Sequence, residues 1–288
     1  MGLRKALLAF VMLLTMVTPA EAFEPCYLWG RSVFGITAEG GLVGHGFCLD
    51  ANRSPGVTRW SGQRVVATSG WGDVSTVFWS GEKYSRGVYY RVVGSGLFWS
   101  GDLESWQRIG ANTDWSSYSS LTSSEPGVIY GTEFSGAVRR WEHKGWEDGA
   151  DTWGPETSVA KMPLGSVLYG HTAAGFIANT GTVSIWSDTF AKSKIRLTVP
   201  DGVDSATITP FDLAERYPNS AFALTASGNK LVLLLPGTCA KLERPWIAGD
   251  EIGGGYTSVF VGGYERPRGT GPVEWQCDGP GGPVGPVN

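Results

Sequence analysis

A short phrase recurs five times along this chain and limits its fold more than any other feature. It reads SVFGITAEGGLVG at Ser32–Gly44 and GVYYRVVGSGLFW at Gly87–Trp99. It returns as GVIYGTEFSGAVRR at Gly127–Arg140, and as SVLYGH at Ser166–His171 with its second half at Gly181–Trp186. The last copy is SAFALTASGNKLVLL at Ser220–Leu234. Each copy is a small residue, a β-type run, a turn containing glycine and a second β-type run. A hairpin repeated through a whole chain specifies a propeller or a solenoid rather than one ordinary core. Copies two and three are offset by 40 residues, Gly87 to Gly127 and Gly96 to Gly136, which is the length of a four-stranded propeller blade.

A second element recurs between the hairpins. A tryptophan is followed about ten residues later by another aromatic residue, as in Trp60…Trp71, Trp106…Trp115 and Trp246…Tyr256. Trp153 and Trp186 hold the first position in the third and fourth units, where the second aromatic is missing. Each unit then offers four strands. The first starts near the second aromatic, the repeated hairpin gives the middle two, and the fourth carries or follows the first tryptophan. No dozen-residue segment shows a convincing helical apolar stripe, and the one helix-like stretch, around Phe211–Arg216, is short. An extra first-strand-like segment, Tyr256–Gly262, follows the fifth hairpin, while the first hairpin is preceded only by Cys26–Gly30. Letting the late segment complete the first unit closes the ring and removes an exposed sheet edge. The expected fold is all-β: a five-bladed β-propeller of four-stranded antiparallel blades, closed by its N- and C-terminal segments and by disulfides.

The ends of the sequence read separately. Arg4 and Lys5 precede the apolar run Ala6–Val17, and Ala20-Glu21-Ala22 places small residues where a signal peptidase cuts. Residues 1–22 are read as a secretory signal peptide, 23–277 as one propeller domain and 278–288 as a flexible Gly/Pro-rich tail. Loss of residues 1–22 moves the net charge from −4 to −5. A mildly acidic chain without a basic run argues against nucleic acid as a partner, and no later run is long enough to span a membrane. The expected product is exported and monomeric. Its cysteines number four, and an even count in an exported protein favours two disulfides with three possible connectivities. Two fall in the first unit and two in the last. That placement favours Cys26–Cys277, which would tie the ends of the ring, with Cys48–Cys239.

The stretch Trp106-x-x-Ile109-Gly110…Trp115-x-x-Tyr118-x-x-Leu121…Gly127-Val-Ile-Tyr130 resembles the repeat of the tachylectin-type lectins. The fifth unit is similar through Ile252-Gly253-Gly254-Gly255-Tyr256, and the first keeps Gly70-Trp71. The resemblance spans roughly Tyr27–Val261 and is weakest in the fourth unit. It implies a five-bladed propeller that binds N-acetylglucosamine- or N-acetylgalactosamine-bearing glycans at inter-blade sites, without catalysis or cofactor. The positions it marks are Trp106, Asn112, Asp114 and Trp115 in the second unit, and Trp60, Trp71 and Asp73 in the first. Asp151 and Trp153 follow in the third, and Trp246, Asp250 and Tyr256 in the fifth. Fewer than five competent sites are expected. The same rings are also what a propeller uses to fill the wedge between blades, so a propeller scaffold binding a protein or cell-wall partner is the second reading.

A third reading, a glycosidase of sialidase type, finds less support. Ser100-Gly-Asp102-Leu-Glu-Ser-Trp106 resembles a truncated Asp box, a turn-stabilising motif. Arg139, Arg140 and Glu142 sit on one strand and alternate faces, so they do not converge. No spacing singles out the carboxylate pair that glycoside hydrolysis needs. His45, His143 and His171 are the only histidines, and no nucleophile elbow accompanies them.

Overall fold

The computed structural model describes residues 32–49, 58–81, 87–110, 114–172, 175–213, 217–236 and 243–262. The expected leader over 1–22, Asn112, the tail over 278–288 and the proposed cysteine pairings lie outside the described residues.

Among the described residues, twenty-one strands build five blades around a ring. The first blade holds β1 (Ser32–Thr37), β2 (Leu42–Leu49) and β3 (Thr58–Ala67). The second is β4 (Val74–Gly81), β5 (Gly87–Val93), β6 (Gly96–Ser100) and β7 (Gln107–Ile109). A 3-10 turn at Trp115–Ser117 leads to the third: β8 (Tyr118–Ser123), β9 (Val128–Glu133), β10 (Ala137–Gly145), and an outer edge split between β11 (Ala150–Trp153) and β12 (Thr157–Lys161). The fourth is β13 (Val167–Thr172), β14 (Gly175–Asn179), β15 (Val183–Trp186) and β16 (Lys192–Thr198). The fifth is β17 (Val203–Leu213), β18 (Tyr217–Thr225), β19 (Leu231–Pro236) and β20 (Glu243–Ile252). Last comes β21 (Tyr256–Val261), which pairs antiparallel with β1 from Val33↔Val261 to Thr37↔Tyr256 and completes the first blade. The ring therefore closes on the segment that the sequence singles out.

The innermost strands neighbour one another in the order β21, β4, β8, β13, β17 and back to β21. Small hydroxyls link them. Ser120 Oγ accepts from Leu168 N at 2.9 Å, Ser119 Oγ donates to Ser166 O, and Thr209 Oγ1 donates to Val259 O at 2.9 Å. Blades four and five are further joined at their outer edges. There β16 and β20 pair in parallel from Arg196↔Glu243 to Thr198↔Pro245, making one eight-stranded sheet of the two blades.

A propeller has no single core, because each blade buries both faces against its neighbours. Among the described residues, five apolar clusters occupy the five blade interfaces. Val33 and Val43 meet Phe222, Leu224 and Leu233 between the fifth and first blades. Phe34, Ile36 and Phe260 meet Trp71 and Val77 between the first and second. Tyr90, Val92 and Leu97 meet Trp115 and Ile129 at the next. Val138 and Met162 meet Leu168 and Phe176 beyond it, and Ile177, Ile185 and Leu197 meet Ile208, Ala223 and Trp246 at the last. Burial on both faces explains why β19 reads Leu-Val-Leu-Leu-Leu without alternation, whereas β5 keeps Val88, Tyr90 and Val92 buried at every second position.

Two expectations change. SVLYGH is not the start of the fourth hairpin. It is β13, the innermost strand of the fourth blade, and the hairpin is β14–β15. The sequence hides this because Ser166-Val-Leu-Tyr-Gly170 matches the small-residue, β-run and tyrosine pattern of the second and third copies, which Gly175-Phe-Ile-Ala-Asn179 lacks. Of the helix-like stretch around Phe211–Arg216, Phe211–Leu213 belong instead to β17, which pairs with β18, and the rest lies outside the described residues. Among the described residues no helix is long and apolar enough to cross a membrane.

Candidate ligand-binding site

The chain crosses between blades in one recurring way. A residue at the start of an innermost strand, or shortly before it, donates its amide to the turn joining the two middle strands of the blade just left. Trp71 N reaches Gly40 O at 3.0 Å, Trp115 N reaches Ser95 O at 3.3 Å, Met162 N reaches Gly136 O at 2.8 Å and Tyr256 N reaches Asn229 O at 3.2 Å. All four of these residues are 3% exposed. Each plugs a blade interface while its amide clips the linker to the turn. The turn glycine is required at Gly136, whose φ is +87° and where a Cβ would run into the Met162 carbonyl. Met162 is thus the third unit's counterpart of the second aromatic. Sequence reading missed it because it looked for a ring, where the position only demands a large apolar side chain ahead of a strand.

The first-position tryptophans lie on or beside outer strands: Trp60 in β3, Trp106 ahead of β7, Trp153 in β11 and Trp246 in β20. Trp186 does not belong with them. It ends β15, a third-strand position like that of Trp141 in β10.

The pairing of these rings differs from their order in sequence. Trp71 packs edge-on against Trp106, with ring centroids 5.6 Å apart. Trp115 lies 6.0 Å from Trp153. Tyr256 and Trp60 both rest on His45, at 5.7 and 5.9 Å. Each linker ring therefore pairs with the outer-strand tryptophan of the blade it enters, not with the tryptophan that precedes it. The residues grouped as Trp106, Asn112, Asp114 and Trp115 are divided. Trp106 joins Trp71 and Asp73, while Asp114 and Trp115 join Asp151 and Trp153.

Burial then sorts the rings. Trp71, Trp115, Trp246 and Tyr256 are enclosed, with Trp246 Nε1 donating to Asn219 O at 2.8 Å, so their faces are taken by protein. Trp60, Trp106 and Trp153 are half-buried, each braced on an enclosed partner. Exposed aspartates lie near these rings, one bonded through its carboxylate to the Trp153 indole, one meeting Trp60 through its backbone carbonyl, and two close in sequence to the plug rings. Asp151 Oδ1 accepts from Trp153 Nε1 at 2.7 Å and from Gly110 N at 2.9 Å, fixing the indole and tying β11 to the linker. Asp114 Oδ1 accepts from Ser116 Oγ at 2.8 Å just ahead of Trp115. Trp60 Nε1 donates to Asp250 O at 3.2 Å, and exposed Asp73 follows Trp71 by two residues.

Two buried histidines and one arginine set the electrostatics. His143 stacks on Trp153 at 4.7 Å. Its Nε2 faces the Ala150 carbonyl at 2.8 Å and its Nδ1 faces the Tyr90 hydroxyl at 2.7 Å. A carbonyl only accepts, so Nε2 carries the proton and Tyr90 donates to Nδ1. Burial lowers the His143 pKa against a smaller opposing pull from the Ala150 carbonyl. His45 Nε2 meets the Tyr256 hydroxyl at 2.6 Å, and burial lowers its pKa too. Arg91 lies over Trp106 at 4.2 Å and Trp71 at 5.2 Å, and burial lowers its pKa.

The remaining polar motifs serve the framework. Ser100 Oγ accepts from Leu103 N, and Asp102 Oδ1 accepts from Glu104 N and Ser105 N at 2.9 and 2.8 Å. The Ser105 and Glu104 amides hold the Asp102 carboxyl below its ordinary range. This is a self-capped turn, as the resemblance to an Asp box implies. Arg139 pairs with Glu133 and Glu156, whereas Arg140 faces Glu125. His171 bonds Asp188 at 2.8 Å on the rim of the fourth blade.

Fold and ring geometry define a five-bladed β-propeller with a half-buried outer tryptophan set against enclosed rings in three blades. No family model and no curated protein matches the chain. Among solved structures it is similar to PorZ of Porphyromonas gingivalis, described as an essential bacterial surface component of the type-IX secretion system. The TM-score is 0.39 at 13% identity, over 77% of this chain and 26% of that one, so the chain spans about a quarter of PorZ.

Proposed function

We propose that this protein is an exported, monomeric, non-catalytic lectin of the tachylectin type. It binds N-acetylglucosamine- or N-acetylgalactosamine-bearing glycans at several weak sites. The observation that carries this reading is a recurring arrangement of half-buried outer-strand tryptophans: Trp106 and Trp153 pack on the enclosed plug rings Trp71 and Trp115, Trp60 shares His45 with the plug Tyr256, and the exposed Asp151 carboxylate bonds the Trp153 indole. Such a ring offers a flat apolar face to the C–H side of a sugar, and the aspartates accept from hydroxyl and acetamido groups. The rings assigned to stacking are Trp60, Trp106 and Trp153. Single affinities are low, and multivalent glycan surfaces are held through avidity. Chromatography of the full chain on N-acetylglucosamine– and N-acetylgalactosamine–agarose tests this. Retention that weakens in Trp106→Ala and Trp153→Ala, with unchanged melting cooperativity, is the expected result. Flow-through of the unmodified protein on both resins would overturn the reading.

One observation favours a protein partner instead. Phe134 and Leu164 are 68% and 72% exposed and neighbour each other at the turn-and-linker end of the ring, where Gly165 N donates to Phe134 O. Under that reading Phe134→Ser abolishes partner capture and leaves sugar retention at its original level.

A further inference from the structure

The crossing from the fourth blade to the fifth breaks the rule that the other four obey. Its linker reads Val199-Pro200-Asp201-Gly202 and contains no large ring or methionine. Val203 N turns back to Pro200 O at 3.3 Å, and Gly202 O accepts from Ala226 N of the blade being entered. At this junction a surface pocket of about 380 Å³ opens, within the range of roughly 300–1,000 Å³ usual for small-ligand sites. It lies between the β14–β15 turn, the end of β16 and the start of β17.

The lining is specific. Val183 and Leu197 are 6% and 3% exposed and form an apolar floor that belongs to the interface cluster beneath. Thr182, Thr198 and Ser205 supply hydroxyls, and the Asn179 amide is held in place by Gly181 N at 3.0 Å and the Tyr169 hydroxyl at 3.1 Å. Among the described residues that line the pocket, Arg196 brings the one full charge and none is a carboxylate. Its side chain is exposed, and it has no ion pair among the described residues. An unpaired guanidinium presents a planar fork that matches a carboxylate. Hydroxyls over an apolar floor match the two sides of a sugar ring.

From this combination we infer a separate binding site for an acidic monosaccharide unit of the uronate class. Its carboxylate meets Arg196, its C–H face lies on Val183 and Leu197, and its hydroxyls meet Asn179 and the threonine and serine hydroxyls. The site shares no residue with the three tryptophan clusters, so its outcome is independent of N-acetylglucosamine retention.

Isothermal titration of the full chain with galacturonate, galactose and acetate tests it. Galacturonate is expected to bind at least tenfold more tightly than either of the others. Arg196→Gln lowers that affinity at least tenfold, and Thr198→Tyr, which fills the pocket from an exposed position, abolishes it. Should Arg196→Gln fail to fold, Thr198→Tyr alone decides the matter. Equal binding of galactose would remove the role of Arg196, equal binding of acetate would reduce the site to a bare surface cation, and galacturonate affinity unchanged in Thr198→Tyr would place binding elsewhere. Each of these three results overturns the inference.

Discussion

The guanidinium carbon of Arg91 sits 4.2 Å from the ring centroid of Trp106. Arg91 comes from β5, the second strand of the second blade, and is wedged between Trp106, Trp71 and Phe98. One side of the Trp106 indole is thereby covered by the protein's own cation, and only the rest of the ring is open to a ligand. Cation–π contacts of this kind contribute about 0.5–2 kcal/mol. Arg91→Ala is expected to lower stability by about 1 kcal/mol in urea unfolding and to shift tryptophan emission as the ring gains water. Arg91→Lys keeps the charge but loses the stacking plane, and should recover only part of the loss. A double-mutant cycle with Trp106→Ala that returns zero coupling would show that the contact contributes nothing.

Plug rings and outer rings should separate cleanly by stability. Trp115 packs against Trp141 at 4.9 Å and fills the interface between the second and third blades. Its truncation to alanine is expected to cost about 3–5 kcal/mol, the range for emptying a buried aromatic site. Met162→Ala falls in the range of about 2–5 kcal/mol. Trp153→Ala removes a half-buried ring and should cost clearly less than Trp115→Ala. Equal losses for Trp115 and Trp153 in denaturant titrations would mean that both are core residues.

Much of the architecture is legible in the sequence because a propeller repeats its local rules. The turn glycines, the two-strand phrase and the late segment Tyr256–Gly262 together carry blade count, strand order and ring closure. The fourth blade is obscured because its innermost strand β13, Val167–Thr172, carries the Leu-Tyr-Gly run that resembles the repeated phrase, and Met162 is obscured because a plug needs volume rather than aromaticity. The site is less legible for a different reason. Which ring meets which depends on how the linker crosses into the next blade, and that crossing pairs Trp71 with Trp106 and Trp115 with Trp153 across 35 and 38 positions of sequence. The pocket near Arg196 is invisible to a search for recurring features, because it arises where the repeat fails.

Acid should weaken the fold through its two enclosed histidines. His45 and His143 are both 0% exposed, and burial lowers the pKa of each below its unfolded value. A lowered folded-state pKa means that the unfolded chain binds the proton more readily. Stability is therefore full above the unfolded histidine pKa of about 6.5 and declines as the pH falls from there toward the folded values. Asp102 and Glu133, whose carboxyls are also held low, act in the same direction but only nearer pH 4. Melting temperatures taken between pH 8 and pH 5 are expected to fall, and the double variant His45→Gln/His143→Gln should flatten that slope. An unchanged slope in the double variant would assign the acid sensitivity to other groups.

The closing strand offers the most direct test of the ring. β21 supplies the innermost strand of the first blade, and its Tyr256, Val259 and Phe260 enter the apolar clusters on both sides of that blade. The Tyr256 ring also fills the space left by Gly35 in β1, where a Cβ would meet it at 2.5 Å. Ending the chain at Gly255 would strip β1 of its inner partner, open an unpaired edge and expose both clusters. Loss of cooperative thermal unfolding and of the native near-ultraviolet dichroism is expected. Ending the chain at Asp278 leaves β21 intact and should keep the full-length melting temperature. A Gly255-terminated chain that still melts cooperatively at the full-length temperature would mean that the blades hold together without closure.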